Sequence, residues 1–188
     1  MALPTHRVLS EPPPLDVVLR APWFVADVEP RQHRAWLRAL LGVSGACGGG
    51  DPRLVVKLDA WHVVEQAVLE AAFPGTPSIF LYRDPLEIAV SQLAGPGAHM
   101  VPGMLGPSAA LLAPAEALAM PRQEFVARTL GRIFEAGLEG CRRQALRPVH
   151  YDELPAAAGT SLAATLGVAA DEATRQAMLA VTPADAKN

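Results

Sequence analysis

An arginine and a serine stand eight positions apart in the segment "FLYRDPLEIAVSQL", residues 80–93. The apolar run 79–82 predicts a buried strand, and the segment 85–93, which opens with proline, predicts a helix. Arg83 therefore follows the carboxyl end of a strand, which is where open α/β sheets bind ligands. Its guanidinium offers a planar fork of donors suited to phosphate, and the hydroxyl of Ser91 and the first helical amides can add further donors. The pattern predicts an anion site.

A surface turn is the alternative interpretation of the same residues. Arg83 can form an ion pair with Asp84 or Glu87, and Ser91 can simply pack against its neighbours, since short motifs also match by chance. The spacing alone favours the surface turn over the anion site, so the choice between them depends on the surrounding elements.

The flanking segments predict the elements that would position Arg83 and Ser91. Residues 53–59, "RLVVKLD", indicate a short valine-rich strand, and residues 60–75 place apolar side chains at helical spacing. The order strand, helix, strand, helix implies a parallel sheet covered by helices. Neither strand alternates between apolar and polar residues, as expected when both faces are buried. The sequence thus predicts an α/β fold.

Further elements are predicted before and after these strands. The proline-rich segment 10–23, "SEPPPLDVVLRAPW", is expected to be largely extended, because three consecutive prolines stop any helix at Glu11. The remaining predictions are a short helix over 16–19, a helix over 31–42, a glycine-rich linker over 44–52, a loop over 95–110, a long helix over 121–143, a strand that opens 147–155, and two tail helices over 159–166 and 171–181.

Composition bounds the class of protein. The chain has 188 residues, of which 51% are hydrophobic, so a single domain over 1–188 with a sizeable core is expected. A net charge of −3 provides no basic field for a nucleic-acid partner. No stretch approaches the ~20 apolar residues that cross a bilayer, so no membrane partner is expected. Cys47 and Cys141 match no metal or redox spacing, which predicts no metal site and a reducing, cytoplasmic location.

Four segments together resemble the sulfotransferase family. Residues 79–92, "IFLYRDPLEIAVSQ", resemble its second cofactor-binding motif, in which a strand runs into Arg-Asp/Asn-Pro and a serine follows eight positions after the arginine. Residues 55–62, "VVKLDAWH", resemble the family's preceding strand, and 149–155, "VHYDELP", resemble the segment after its long helix. Residues 7–19, "RVLSEPPPLDVVL", resemble the stretch after the nucleotide-loop helix in a bacterial branch.

This resemblance implies a ligand and a fold. In the family, the residues that match Arg83 and Ser91 grip the 3′-phosphate of 3′-phosphoadenosine-5′-phosphosulfate, and the second substrate is an acceptor hydroxyl or amine. The implied architecture is a three-layer αβα arrangement with a small parallel sheet of the P-loop NTPase type. The family's loop for the 5′-phosphosulfate has no counterpart before Arg7, and the glycine-rich segment 45–52 lacks its core sequence. We therefore expect a domain truncated at its N-terminus, which stops where the family's closing basic loop would begin.

Sulfuryl transfer needs a base for the acceptor and positive charge near the sulfuryl oxygens. Lys57 matches the lysine of the family's Lys-x-His element and Asp59 stands in place of its histidine, so the resemblance makes these two residues the catalytic candidates. A solvated charge is the alternative for Lys57, and a helix N-cap is the alternative for Asp59. His62 is another possible base, and the alternative is a residue at the edge of the core with one hydrogen bond. His99 could face an acceptor pocket or be an idle loop residue, and Glu11 could line the substrate side or be a charged surface residue. His150 and Tyr151 end a strand and are expected to pack.

Two other functions remain open. A non-catalytic remnant or interaction subunit of a sulfotransferase-like protein would have its sheet completed by a partner chain, because an unpaired edge strand invites pairing. A nucleotide kinase-like phosphotransferase fragment would also need a phosphate loop, and the Arg-Asp-Pro motif followed by serine is less typical of it.

Overall fold

The computed structural model describes residues 6–46, 53–105 and 114–168, together with Asp171, Glu172 and Gln176. These residues form a mixed α/β structure that is mostly helical. The helices are α1 (Pro13–Leu19), α2 (Ala21–Phe24), α3 (Pro30–Ala46), α4 (Gln66–Ala72), α5 (Pro85–Ala94), α6 (Pro114–Ala119), α7 (Arg122–Arg142), α8 (Leu154–Ala157) and α9 (Ala163–Thr165). Shorter helical turns are three 3-10 turns at Ala60–Glu65, Ala98–Met100 and Tyr151–Glu153, and a π-helical turn at Ala158–Leu162.

The strands of the described residues form two separate two-stranded parallel sheets. In the first sheet, β1 (His6–Ser10) pairs with β2 (Arg53–Lys57). In the second sheet, β3 (Ile79–Tyr82) pairs with β4 (Arg147–His150). The α/β class and the parallel direction of the strands are confirmed. Where the sequence predicted a single small sheet, the described strands form two.

Each sheet leaves an apolar side chain uncovered. Val8 lies opposite Val55 in the first sheet, and Leu81 lies opposite Val149 in the second. Val149 is buried, whereas Val8 is 57% exposed and Leu81 is 47% exposed. The strand β3, which the sequence predicted to be buried on both faces, is therefore covered on only part of its surface.

The proline-rich start of the chain is less extended than predicted. Only the segment up to Ser10 forms a strand, and α1 begins at Pro13. Proline fits the first helical turn because its φ is already helical and its missing N–H has no partner there. The same rule places Pro30 at the start of α3, as predicted, but this helix continues past Gly42 to Ala46.

Clusters of buried apolar side chains hold the helices together. One cluster joins α1, α3 and α4 through Leu15, Leu19, Leu37 and Ala72. Another joins α7 and the turn at 98–100 to α5 through Met100, Val126, Leu130, Ile88 and Leu93. The second cluster fixes α5, the helix that carries Ser91, against the long helix α7.

A glycine allows α7 to approach β3 closely. The rings of Phe80 in β3 and Phe134 in α7 meet edge to face, with centroids 6.1 Å apart. A Cβ atom at Gly137 would lie within 2.9 Å of three carbons of the Phe80 ring, closer than carbon atoms pack. The lack of a side chain at this position therefore lets the helix seat the strand that leads to Arg83.

Candidate functional site

Arg83 lines an open cavity at the carboxyl ends of β3 and β4. The cavity has a volume of about 330 Å³ and is lined by Leu81, Tyr82, Arg83, Ile88 and Tyr151. The Arg83 side chain is half-buried, and its guanidinium makes no hydrogen bond or ion pair within the described part of the chain. The ion pair with Asp84 or Glu87 that a simple surface turn would provide is not formed. Among the described residues that line the cavity, Arg83 is thus a cation that is available to a ligand.

Aromatic rings support the cavity from the sheet side. Tyr82 ends β3 opposite His150, and the two rings meet edge to face with centroids 5.2 Å apart. Phe80 stacks on Tyr82 with centroids 6.3 Å apart. Tyr151, for which the sequence indicated only packing, lines the cavity beside Arg83. The signal for its role is its place directly after a strand that runs parallel to β3, since such ends meet at one edge of the sheet.

The N-terminus of α5 is occupied by its own carboxylate. Asp84 accepts hydrogen bonds from the backbone amides of Leu86 at 2.7 Å and Glu87 at 3.3 Å. Pro85 has no N–H, and the amide of Ile88 donates to the Asp84 carbonyl at 3.1 Å. The predicted contribution of the first helical amides to an anion site is therefore wrong, because those amides are already bonded.

Ser91 lies on the exposed surface of α5 and is not among the residues that line the cavity. Ile88, which does line the cavity, lies three residues earlier, and residues three apart share a helix face. The structure therefore places Arg83 in the cavity lining and leaves Ser91 outside it.

Lys57 lies at the carboxyl end of β2 in the other sheet. Its side chain is 64% exposed, and its Nζ donates to Glu11 Oε1 at 2.6 Å. The backbone amide of Glu11 donates in turn to the Lys57 carbonyl at 2.8 Å. Glu11 has a φ of 47°, in the left-handed region that a residue with a side chain seldom adopts. Lys57 is therefore a surface cation held by a carboxylate that the end of β1 supplies.

Asp59 is the N-cap residue of the 3-10 turn at Ala60–Glu65, which confirms the capping alternative for this residue. Its backbone amide donates to Nδ1 of His62 at 3.2 Å. Burial raises the pKa of the Asp59 carboxyl, and the nearby carboxylates of Glu11 and Asp16 raise it further, against the opposing effect of His62 and Lys57. A carboxylate with a raised pKa is a stronger base than an ordinary aspartate. Asp59 can therefore cap the turn and still accept a proton.

His62 belongs to a buried polar network centred on Asp16. Asp16 accepts hydrogen bonds from His62 Nε2 at 2.8 Å, from Trp61 Nε1 at 3.0 Å and from Arg20 Nε at 2.9 Å. Burial alone would raise the pKa of Asp16, but these donors outweigh it and lower the pKa to about 2. Both ring nitrogens of His62 are bonded, so it makes two hydrogen bonds where one was predicted, and no nitrogen is left to act as a base.

His99 packs against Trp61, with ring centroids 4.9 Å apart. Its Nδ1 is buried and has no hydrogen-bond partner in the described part of the chain. Burial lowers the pKa of His99, which favours its neutral form. His99 therefore packs the turn at Ala98–Met100 against the turn at Ala60–Glu65. The segment 95–110, which the sequence predicted to be a loop, contains this short 3-10 turn at Ala98–Met100.

The described residues contain no group of three or more histidine, cysteine, aspartate or glutamate side chains that could hold a metal ion. None of the helices within them is long and apolar enough to cross a membrane. A scan against protein-family models and searches of curated proteins and of solved structures find no match to this chain. The cavity at Arg83 and the side chains at the end of β2 are therefore the candidate functional groups of the described residues.

Proposed function

We propose that this chain is a sulfotransferase-like protein that binds 3′-phosphoadenosine-5′-phosphosulfate, or the bisphosphate nucleotide left after transfer, with the 3′-phosphate on Arg83. One observation carries the proposal: Arg83 is half-buried, lines an open cavity and has no partner within the described residues. Withdrawing a cation from water without a counter-ion costs free energy. A phosphate would supply both the charge and acceptor oxygens in the geometry of the guanidinium fork.

The other walls of the cavity suit the rest of a nucleotide. Tyr82 and Tyr151 contribute aromatic rings, and Leu81 and Ile88 contribute apolar surface. Stacking of a base on an aromatic ring stabilises a complex by about 1–3 kcal/mol. In the proposed complex the phosphate lies at Arg83 and the base or ribose packs against a tyrosine ring.

Ser91 is the weaker half of the proposed phosphate site. Ser91 is exposed and outside the cavity lining, so it contacts the phosphate only when the phosphate itself extends from Arg83 beyond that lining. Asp84 opposes binding, because its carboxylate remains at the start of α5 and repels an anion nearby. These two features favour a weak complex whose affinity depends mainly on Arg83.

The proposed transfer step uses the groups at the end of β2. A base takes the proton of the acceptor hydroxyl while the acceptor oxygen attacks sulfur, and the bond from sulfur to the nucleotide oxygen breaks. Asp59 is the proposed base, since its raised pKa makes it a better proton acceptor than an ordinary aspartate. Lys57 is the proposed cation for the sulfuryl oxygens and would exchange Glu11 for the substrate.

We further propose that the two small parallel sheets and their helices belong to a three-layer αβα fold of the P-loop type.

Calorimetric titration with adenosine 3′,5′-bisphosphate tests the proposed site. We expect wild-type protein to bind this nucleotide at least about tenfold more tightly than 5′-AMP, because a charge-assisted phosphate contact contributes about 1.5–3 kcal/mol. Arg83→Ala should abolish binding of the bisphosphate.

Arg132→Ala provides the matched control for this titration. It removes an exposed arginine of α7 that, like Arg83, makes no ion pair within the described residues, and the affinity should not change. Equal affinities of the wild-type protein for the two nucleotides would contradict the assignment of the 3′-phosphate and favour the nucleotide kinase-like alternative.

A second candidate function is a non-catalytic subunit whose sheet is completed by a partner chain. Its support is the pair of separate two-stranded sheets, in which Val8 of β1 and Leu81 of β3 remain exposed. Two-stranded sheets are marginal on their own, and a further strand would bond to the edges that no described strand occupies. Purified protein that stays soluble and fully folded without a partner would count against this function.

A further inference from the structure

His150 stands at the same edge of the second sheet as the cavity at Arg83. It ends β4 and is the register partner of Tyr82, which ends β3 and lines the cavity. Residues paired between neighbouring strands place their side chains on the same face of a sheet. The rings of Tyr82 and His150 accordingly meet edge to face, with centroids 5.2 Å apart. Tyr151, the next residue, also lines the cavity. His150 is therefore adjacent to two of the residues that form the cavity wall.

The two ring nitrogens of His150 have different surroundings. Nδ1 accepts a hydrogen bond from the backbone amide of Asp152 at 3.3 Å, a contact that caps the 3-10 turn at Tyr151–Glu153. Nε2 makes no hydrogen bond within the described residues and, unlike Nδ1 of His99, is not buried. The side chain as a whole is 34% exposed. Nε2 of His150 is thus open to a ligand.

The hydrogen bond at Nδ1 determines where the neutral ring of His150 carries its proton. A ring nitrogen that accepts a hydrogen bond has no proton, so the proton of the neutral imidazole is on Nε2. The open nitrogen is therefore a donor in the neutral ring, and it remains a donor when the ring is protonated. In both states His150 can donate a hydrogen bond to an anion.

The cavity lining lacks the second phosphate donor that the sequence predicted. Ser91 is outside the lining, and the first amides of α5 are bonded to Asp84. A phosphate that binds the guanidinium fork of Arg83 with two oxygens has a third oxygen left to accept a hydrogen bond. A donor at the end of β4 would lie at the sheet edge where Arg83 follows β3.

We propose that His150 is the second phosphate-binding residue of this cavity, with Nε2 donating to the phosphate that Arg83 binds. The identity of that phosphate, the 3′-phosphate of the nucleotide, rests on the proposed function. A protonated His150 adds a positive charge beside the anion. Its Nδ1 then becomes a donor, and Asp152 Oδ2, 3.6 Å away, is the acceptor in place.

The charged neighbours of His150 act in both directions on its protonation. On its own turn lie the carboxylates of Asp152 and of Glu153, which accepts the backbone amide of His150 at 3.1 Å. From β3, Tyr82 contacts the ring, and the guanidinium of Arg83 follows Tyr82 at the same edge. A bound phosphate adds negative charge, so phosphate binding and protonation of His150 favour each other. The affinity gained from His150 should therefore rise as the pH falls from about 8 to about 5, the range in which imidazoles titrate.

Calorimetric titration with adenosine 3′,5′-bisphosphate at about pH 5.5 and about pH 8 tests this role with two variants. His150→Asn keeps an acceptor in place of Nδ1 but is too short to replace Nε2, whereas His150→Gln extends an amide nitrogen to the position of Nε2 and stays neutral. At pH 8 the Asn variant should bind about fivefold more weakly than wild type, and the Gln variant within about twofold of it. At pH 5.5 wild type should bind about tenfold more tightly than the Gln variant, because only the imidazolium is charged.

The ratio of the wild-type affinity to that of His150→Gln isolates the histidine. The phosphate of the ligand also titrates, at about pH 6, but this affects both proteins equally. A ratio that is the same at the two pH values, or a His150→Asn variant that binds as tightly as wild type, would overturn the role of His150. Failure of the proposed function has a different signature. If wild type binds the bisphosphate no better than 5′-AMP, the 3′-phosphate assignment fails and the role of His150 fails with it. If binding needs Arg83 but neither variant of His150 changes it, the role of His150 alone is wrong.

Discussion

Replacing Asp16 with alanine should lower the free energy of unfolding by about 3–5 kcal/mol, the largest effect we expect from a single side chain of this protein. Asp16 accepts hydrogen bonds from the side chains of Arg20, Trp61 and His62. Arg20 is only 7% exposed, so removing the carboxylate takes an ion pair away from a buried cation and an acceptor away from three side-chain donors. Urea denaturation followed by circular dichroism measures the difference.

The matched control is Glu124→Ala on α7. Glu124 and Arg128 are four residues apart, as are Asp16 and Arg20, but their ion pair is exposed and its loss should cost no more than about 0.5 kcal/mol. The dependence on pH gives a second readout. The pKa of Asp16 is lowered from 3.8 to about 2, so its contribution to stability is present above pH 4 and is lost as the pH falls toward 2. Equal acid sensitivity of wild type and Asp16→Ala would contradict the assigned network.

Periodicity and proline position predicted the local elements well. The strand at 53–59, the helix from Pro85 and the long helix near 122–142 are confirmed within a few residues, because each depends on contacts between residues close in sequence. The predicted helix over 159–166 is confirmed within a few residues, with a π-helical turn at Ala158–Leu162 that continues into α9. The predicted helix over 171–181 falls largely outside the described residues, as does Cys47.

Features that depend on distant contacts were not predictable in the same way. The strand at His6–Ser10 exists because it pairs with β2, more than forty residues later in the chain, and nothing in its own polar and apolar mixture identifies the partner. The network around Asp16 likewise joins α1 to the turn at Ala60–Glu65. Three donors converge on one carboxylate there, and a single sequence gives no measure of that convergence.

The same distinction between local and distant contacts applies to the candidate site. Arg83 follows a strand in sequence, so its place at the edge of a sheet was predictable, and the structure adds the cavity beside it. Tyr151 joins the same cavity only because β4 pairs in parallel with β3. The alternatives of a cap for Asp59 and a surface charge for Lys57 are both confirmed, and both residues keep the groups that the proposed transfer step needs.

Exchanging Gly137 for alanine should destabilise the protein by about 1–3 kcal/mol, because the new methyl group would overlap the ring of Phe80. An aromatic ring packed between Phe134 and Tyr82 cannot rotate away without moving its neighbours. Thermal or urea denaturation measures the loss of stability.

Gly131→Ala is the control on the same helix, and its effect should have the opposite sign. A Cβ atom at Gly131 meets nothing within 4 Å, so alanine should stabilise α7 by about 0.5–1 kcal/mol through its higher helix propensity. Displacement of Phe80 would also shift Tyr82, which lines the cavity beside Arg83. Gly137→Ala should therefore weaken binding of the bisphosphate nucleotide under conditions in which the variant is still folded, whereas Gly131→Ala should not. A Gly137→Ala variant as stable as wild type would show that α7 and β3 do not pack as closely as the position of Phe80 requires.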